Sequence, residues 1–318
     1  MRRFNLILLA VATVFLIWLL LEIGWSALAR HLKQIGWWWP LLLLPYGVVN
    51  WLEALAWEFL LSTKSTHARV VFLFWIRLGG EALNQLTPTA SLGGEPYKAS
   101  RLQAVGLPFE EATASVVIHK AMKVLSLFLY ILIGLMSAPL LLPEVSSHIY
   151  ALTLAAAGLG AAILGFIIVS LNAPATRTLK LLKRLKLCPK FLKDKEEDLA
   201  RLDARLASFY RSHPGKSGAA FLLLFLAWLV HGAEVYLIFW LLGHPIGWGS
   251  SLCLDALTMI FTSIGFFIPG SLGFQEGGNI LLALGFHLGA ALGAAFSIVR
   301  RIREAFWMGL GLIVTARY

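Results

Sequence analysis

The stretch Thr87 to Arg101, TPTASLGGEPYKASR, carries polar chemistry inside an otherwise apolar chain. Pro88 and the Gly93–Gly94 pair interrupt a helix. Glu95 and Lys98 add ionisable groups between apolar neighbours. In lipid, irregular backbone persists only where protein or a water-filled cavity satisfies its polar groups. The residues therefore predict a buried helix break at membrane depth, and a site at that break. Glu95 directly precedes Pro96, as at a helix start. Capping is its plain role; binding a proton or cation is the functional alternative.

Further charges lie in other apolar runs. Glu53 and Glu234 are acidic, with His231 three residues before Glu234. Arg77 and Glu81, and likewise Arg300 and Glu304, are spaced to pair along one helix face. His119 and Lys123 share a face with Lys120 beside it, and Arg300 shares one with Arg303. A charge inside a span faces a cavity or a partner. A cationic cluster beside each break favours an anionic ligand, and phosphate also suits helix N-termini. Arg offers bidentate contact to phosphate, whereas Lys acts as a point charge. The expected substrate-binding set is Lys120, Arg301, Arg300 and His119, with Gly93, Gly94 and Gly273 at the breaks. Glu95, Glu276, Glu53 and Glu234 are the expected coupling or helix-break carboxylates. No nucleophile elbow, HExxH, CxxC or P-loop accompanies them, so no catalytic residue, cofactor or metal is assigned and the chain is not read as an enzyme. Cys188 and Cys253 have no metal or redox spacing.

The elements that must position these groups are duplicated. Ser91-Leu92-Gly93 returns as Ser271-Leu272-Gly273, 180 residues later, within Pro269 to Gly277. Glu95 returns as Glu276, one residue out of step. Val49-Asn50 and Glu53 match Val230-His231 and Glu234, and Ile118-His119-Lys120 match Val299-Arg300-Arg301. Such internal echoes mark a repeated fold.

The 318 residues are 58% hydrophobic and 14% charged, against about 25% charged in soluble domains. This is the composition of a polytopic all-α membrane protein, with no room for a soluble nucleotide-binding or transferase module. The net charge of +10 lies mostly in loop 172–217, which fits the cytoplasmic excess of Lys and Arg and not nucleic-acid binding.

Apolar runs predict spans at about Leu6–Trp25, Pro40–Leu61, Phe109–Met136, His148–Leu171, Gly218–Leu242 and Gly289–Thr315. Residues 26–38 read as an interfacial segment, and Pro139 to Ser147 as an outer loop. Two re-entrant pairs complete the chain: Val71–Leu86 with a second arm from Pro96, and Ser250–Ile268 with a second arm from Asn279. The expected architecture is therefore about six full spans and two re-entrant helix pairs. It forms one domain of two inverted repeats, 1–147 and 148–318, each span–span–re-entrant pair–span. N- and C-termini are expected in the cytoplasm. Inverted repeats with broken helices are the plan of an alternating-access transporter.

TPTASLGGEPYKASRL with its following basic pair, and IPGSLGFQEGG followed by VRRIRE, resemble the two motifs of the lysylphosphatidylglycerol synthase transmembrane-region family. The resemblance spans nearly the whole chain. It carries over Pro88, Gly93, Gly94, Glu95, Pro269, Gly273, Glu276 and Arg301. Phe274-Gln275 departs from the family pattern, where a small or β-branched residue and Arg are common. The family's aminoacyl-transfer domain has no counterpart in this sequence. The resemblance implies flippase-like transport of an anionic, polyprenyl-type or hopanoid-type lipid across the bacterial cytoplasmic membrane. The alternative expectation is a non-transporting accessory subunit that holds a lipid-modifying enzyme.

Overall fold

The computed structural model describes residues 25–61, 69–87, 93–142, 149–171, 176–177, 180, 183–184, 196–265 and 268–317. Among these residues the fold is all helical. The expected first span, Leu6–Trp25, lies almost wholly outside them.

Helix α1 (Trp25–Ile35) is amphipathic. It leads into a 3₁₀ segment, Gly36–Leu43, where Trp37 and Trp38 are exposed, as an interfacial aromatic belt requires. Helix α2 (Leu44–Phe59) follows, opened by Pro45 in its first turn. Then come α3 (Val70–Leu86), the break, α4 (Glu95–Ala104) and α5 (Phe109–Leu141). Helix α5 starts behind Pro108 with Glu110 and Glu111 in its first turn, which suits the positive end of the helix dipole. It runs through Pro139, where the sequence predicts a loop. Only Leu140 and Leu141 follow the proline within the helix, so the helix ends soon after it.

The chain continues through α6 (Ile149–Leu171), α7 (Glu196–Ser212), α8 (Pro214–Leu241) and α9 (Trp248–Ile264). A 3₁₀ turn at Pro269–Ser271 separates α9 from α10 (Phe274–Gly285), and α11 (Ala290–Arg317) closes the fold. Among the described residues α5 and α8 are long and apolar enough to cross a membrane. Helices α3 and α9, at 17 residues each, would rise about 26 Å, short of the roughly 30 Å hydrocarbon core.

Both breaks occur where the sequence places them. At the first, the second arm starts at Glu95, one residue before the expected Pro96. In the second break α10 begins at Phe274, five residues before the expected Asn279, because Gly273 and Glu276 form a helix start.

Packing joins the two halves. Helix α2 lies against α8, α3 against α11, and α5 against α9. Within each half α2 meets α3, α3 meets α4 and α4 meets α5, as α8 meets α9, α9 meets α10 and α10 meets α11. Gly134 admits Ala256 of α9 against α5, and Gly311 brings α11 onto the Leu78 carbonyl of α3. One apolar core gathers Trp57, Leu73, Ile76, Leu102 and Ile118. Another surrounds Phe239 and Phe296, whose rings stack at 5.1 Å. Helix α6 packs on α5 and leaves Leu154 and Leu164 exposed, an apolar face suited to lipid.

Candidate functional site at the two helix breaks

The first break is held by side chains from three helices. Asn84, on α3, accepts the Gly94 N–H through Oδ1 at 2.7 Å and donates to Glu95 Oε1 at 3.1 Å. The start of α4 is therefore capped from α3, not by Glu95. A Cβ on Gly94 would collide with the Gly80 carbonyl, so this close approach requires glycine. Lys98 is buried with its stem against Gly80, and its Nζ lies 2.9 Å from Glu81 and 3.3 Å from Glu95. Lys120, on α5, reaches Glu95 at 3.4 Å.

The second break has a related solution. Gly273 has φ +83° and donates its N–H to Glu276 Oε2 at 2.7 Å. Here the carboxylate does cap its own helix. Arg301, on α11, pairs with the other oxygen of Glu276, and its Nη1 meets Glu304 at 2.7 Å. Lys120–Glu95 and Arg301–Glu276 thus recur with both members displaced by 181 residues. Lys120 and Arg301 are about a quarter exposed, at 25% and 24% of the side chain.

Deeper pairs lie behind these. Glu53 takes Arg77 and, at 2.9 Å, Lys123. Arg77 also donates to Asn50. Glu234 takes Arg303 at 3.0 Å, again close to 180 residues on from Glu53 and Lys123. Arg300 pairs with Asp255 at 2.8 Å, and Tyr130 donates to the same carboxylate at 3.1 Å. His119 contacts the Glu53 carbonyl at 3.1 Å through Nε2. Of these, Arg77, Glu53, Arg300, Asp255, Arg303 and Glu234 are buried.

Aromatic rings connect the two halves. The Arg303 guanidinium lies 4.1 Å from the centre of the Tyr46 ring, and Tyr46 meets the His231 ring edge-on. Trp228 stacks on His231 and faces Lys123 at 5.9 Å. His231 Nδ1 is 3.8 Å from Glu234, and no group of three or more metal-ligating side chains occurs among the described residues. Several buried polar atoms lack a protein hydrogen-bond partner: Arg300 Nε and Nη1, and Arg301 Nη2. In a dry interior each such atom costs about 1–3 kcal/mol, so the polar interior suits hydration.

Two expectations change. The within-helix pairs Arg77–Glu81 and Arg300–Glu304 do not form. Arg77 and Arg300 instead reach Glu53 and Asp255 on neighbouring helices, where a buried guanidinium gains a desolvated partner. The expected phosphate-binding cations are also already engaged: Lys120, Arg301 and Arg300 are in ion pairs, and Arg300 and His119 are buried. Sequence reasoning assigns no role to Asp255, Tyr130 or Trp228, and marks Asn84 only as a polar residue in a short apolar run. A charge within the apolar run LCLDALTM could have flagged Asp255; polarity alone does not reveal the other three.

The fold and site define an all-helical membrane protein with two broken helices and an interior of inter-helix ion pairs. The chain belongs to the family described as lysylphosphatidylglycerol synthase TM region, whose model matches residues 5–312. That membership places it among membrane proteins of lipid function. No curated protein and no solved structure matches it significantly.

Proposed function

We propose that this protein moves an amphiphilic lipid between the leaflets of a bacterial cytoplasmic membrane. The two halves are read as inverted repeats whose breaks, α3–α4 and α9–α10, enter as re-entrant pairs from opposite sides. The observation that carries this reading is the recurrence of one arrangement. A helix-start carboxylate is clamped by a partly exposed cation from the next long helix, once at Glu95–Lys120 and again at Glu276–Arg301. The paired contacts of α2 with α8, α3 with α11 and α5 with α9 support it. An inverted repeat can expose equivalent half-sites alternately to the two leaflets.

The headgroup phosphate engages Lys120 or Arg301, the most exposed ion-paired cation of each half, while the acyl chains remain in the bilayer. Guanidinium and ammonium are both suited to a phosphate oxyanion. The buried ion pairs behind them hold the helices in place. The reading is tested with the purified chain in liposomes carrying fluorescent phosphatidylglycerol or polyprenyl phosphate. An impermeant quencher should reach inner-leaflet probe faster than in protein-free vesicles. Rates no faster than in protein-free vesicles for every probe would overturn the reading.

A further inference from the structure

The interior ion pairs are balanced across the molecule, not within each half. In the first half Arg77, Lys98, Lys120 and Lys123 face Glu53, Glu81 and Glu95, one cation in excess. In the second half Arg300, Arg301 and Arg303 face Glu234, Asp255, Glu276 and Glu304, one carboxylate in excess. Counting the histidines as neutral, the described network carries no net charge. A desolvated cluster is most stable in that state, because an uncompensated buried charge is costly.

We infer that an anionic headgroup enters this network together with a proton, so that lipid movement is electroneutral and coupled to a pH difference. The inference rests on the lipid-transport reading above. A phosphate that takes Lys120 must displace Glu95, and one that takes Arg301 must displace Glu276. Glu276 then lacks its cation, and Glu95 is left sharing Lys98 with Glu81, each in a mostly buried position, the side chain 15% exposed for Glu95 and 5% for Glu276. One proton converts that carboxylate to the acid. The phosphate charge replaces the carboxylate charge, and the network stays neutral. On release the proton leaves, and the carboxylate regains its cation.

The surroundings favour these two carboxylates as proton carriers. Around Glu95, α3 supplies Asn84 and Glu81, α5 supplies Lys120, and α4 itself supplies Lys98. Around Glu276, α11 supplies Arg301 and Glu304, and α10 supplies the Gly273 N–H and Gln275, which donates to Glu304. Beside α10, α9 contributes the Thr258 and Thr262 hydroxyls, the first bonded to Asn279. Its Asp255 is held by Arg300 and Tyr130. The cations of Glu53 and Asp255 include fully buried guanidiniums beyond ready exchange with a headgroup, whereas Lys120 and Arg301 are partly exposed.

The test uses the full chain in vesicles with fluorescent phosphatidylglycerol and a pH-sensitive dye in the lumen. Acidifying the side from which the lipid departs should accelerate its movement several-fold. The lumen should acidify as lipid arrives, and a potassium-diffusion potential should leave the rate unchanged. Glu95→Gln and Glu276→Gln fix the charge of the protonated acid, so each should diminish proton movement per lipid. A rate that follows voltage and ignores pH overturns the coupling while leaving lipid transport standing. Undiminished proton movement in both Gln variants overturns the assignment to these carboxylates. Absence of lipid movement under every condition overturns the transport reading itself.

Discussion

Lys120 and Arg301 occupy a middle ground that their neighbours do not. Each is paired, yet each keeps about a quarter of its side chain exposed. Arg300, one residue from Arg301, is buried against Asp255. Adjacent arginines on one helix therefore have different duties. Arg301→Gln is expected to abolish lipid movement with a smaller loss of thermal stability than Arg300→Gln, since Glu304 retains Arg303 and Glu276 still accepts the Gly273 N–H. Arg300→Gln is expected to destabilise the fold, because Asp255 would be left as a buried charge without its cation, at a cost of about 3–5 kcal/mol. Thermal unfolding in detergent, measured beside transport, separates the two. Equal destabilisation by both substitutions would refute the division of roles.

At the scale of elements, the two breaks solve one problem differently. Helix α4 is capped by Asn84 of α3 and pressed against the Gly80 carbonyl. Helix α10 is capped by its own Glu276, with Gly273 at positive φ. Gly94→Ala should therefore push α4 from α3 and disturb the Lys98–Glu81 pair. Gly273→Ala should strain the backbone locally, costing about 1 kcal/mol or more. The expected order of thermal stability is wild type, then Gly273→Ala, then Gly94→Ala. The reverse order would show that the close approach at Gly80 is relieved by movement. The shared motif forecast equivalent breaks, but not that one would be capped from outside and the other from within. That difference depends on which side chain of a neighbouring helix comes near.

Across the whole molecule, the packing of α3 on α11 and α5 on α9 makes each half incomplete without the other. If the breaks share one midplane cavity, Glu95→Cys and Glu276→Cys should be joined by a short bifunctional reagent in at least one conformational state. The measurement belongs in a chain whose Cys188 and Cys253 are replaced by alanine. Failure to cross-link under any lipid, pH or ligand condition would falsify the shared cavity and leave two separate sites.

Composition and periodicity by themselves determined the all-helical class, the positions of the long helices and the two breaks. Lipid permits few backbone solutions, and Pro and Gly mark departures from them. The motif residues likewise carried the family. The partners of the charges were decided by tertiary structure. Spacing along one helix suggested Arg77–Glu81 and Arg300–Glu304, yet desolvated guanidiniums found Glu53 and Asp255 across helix interfaces. Sequence spacing records neighbours along one helix, whereas the stability of a buried charge depends on what adjoining helices bring within a few ångströms. The neutral network, and the difference between partly exposed Arg301 and buried Arg300, exist only after that packing is complete.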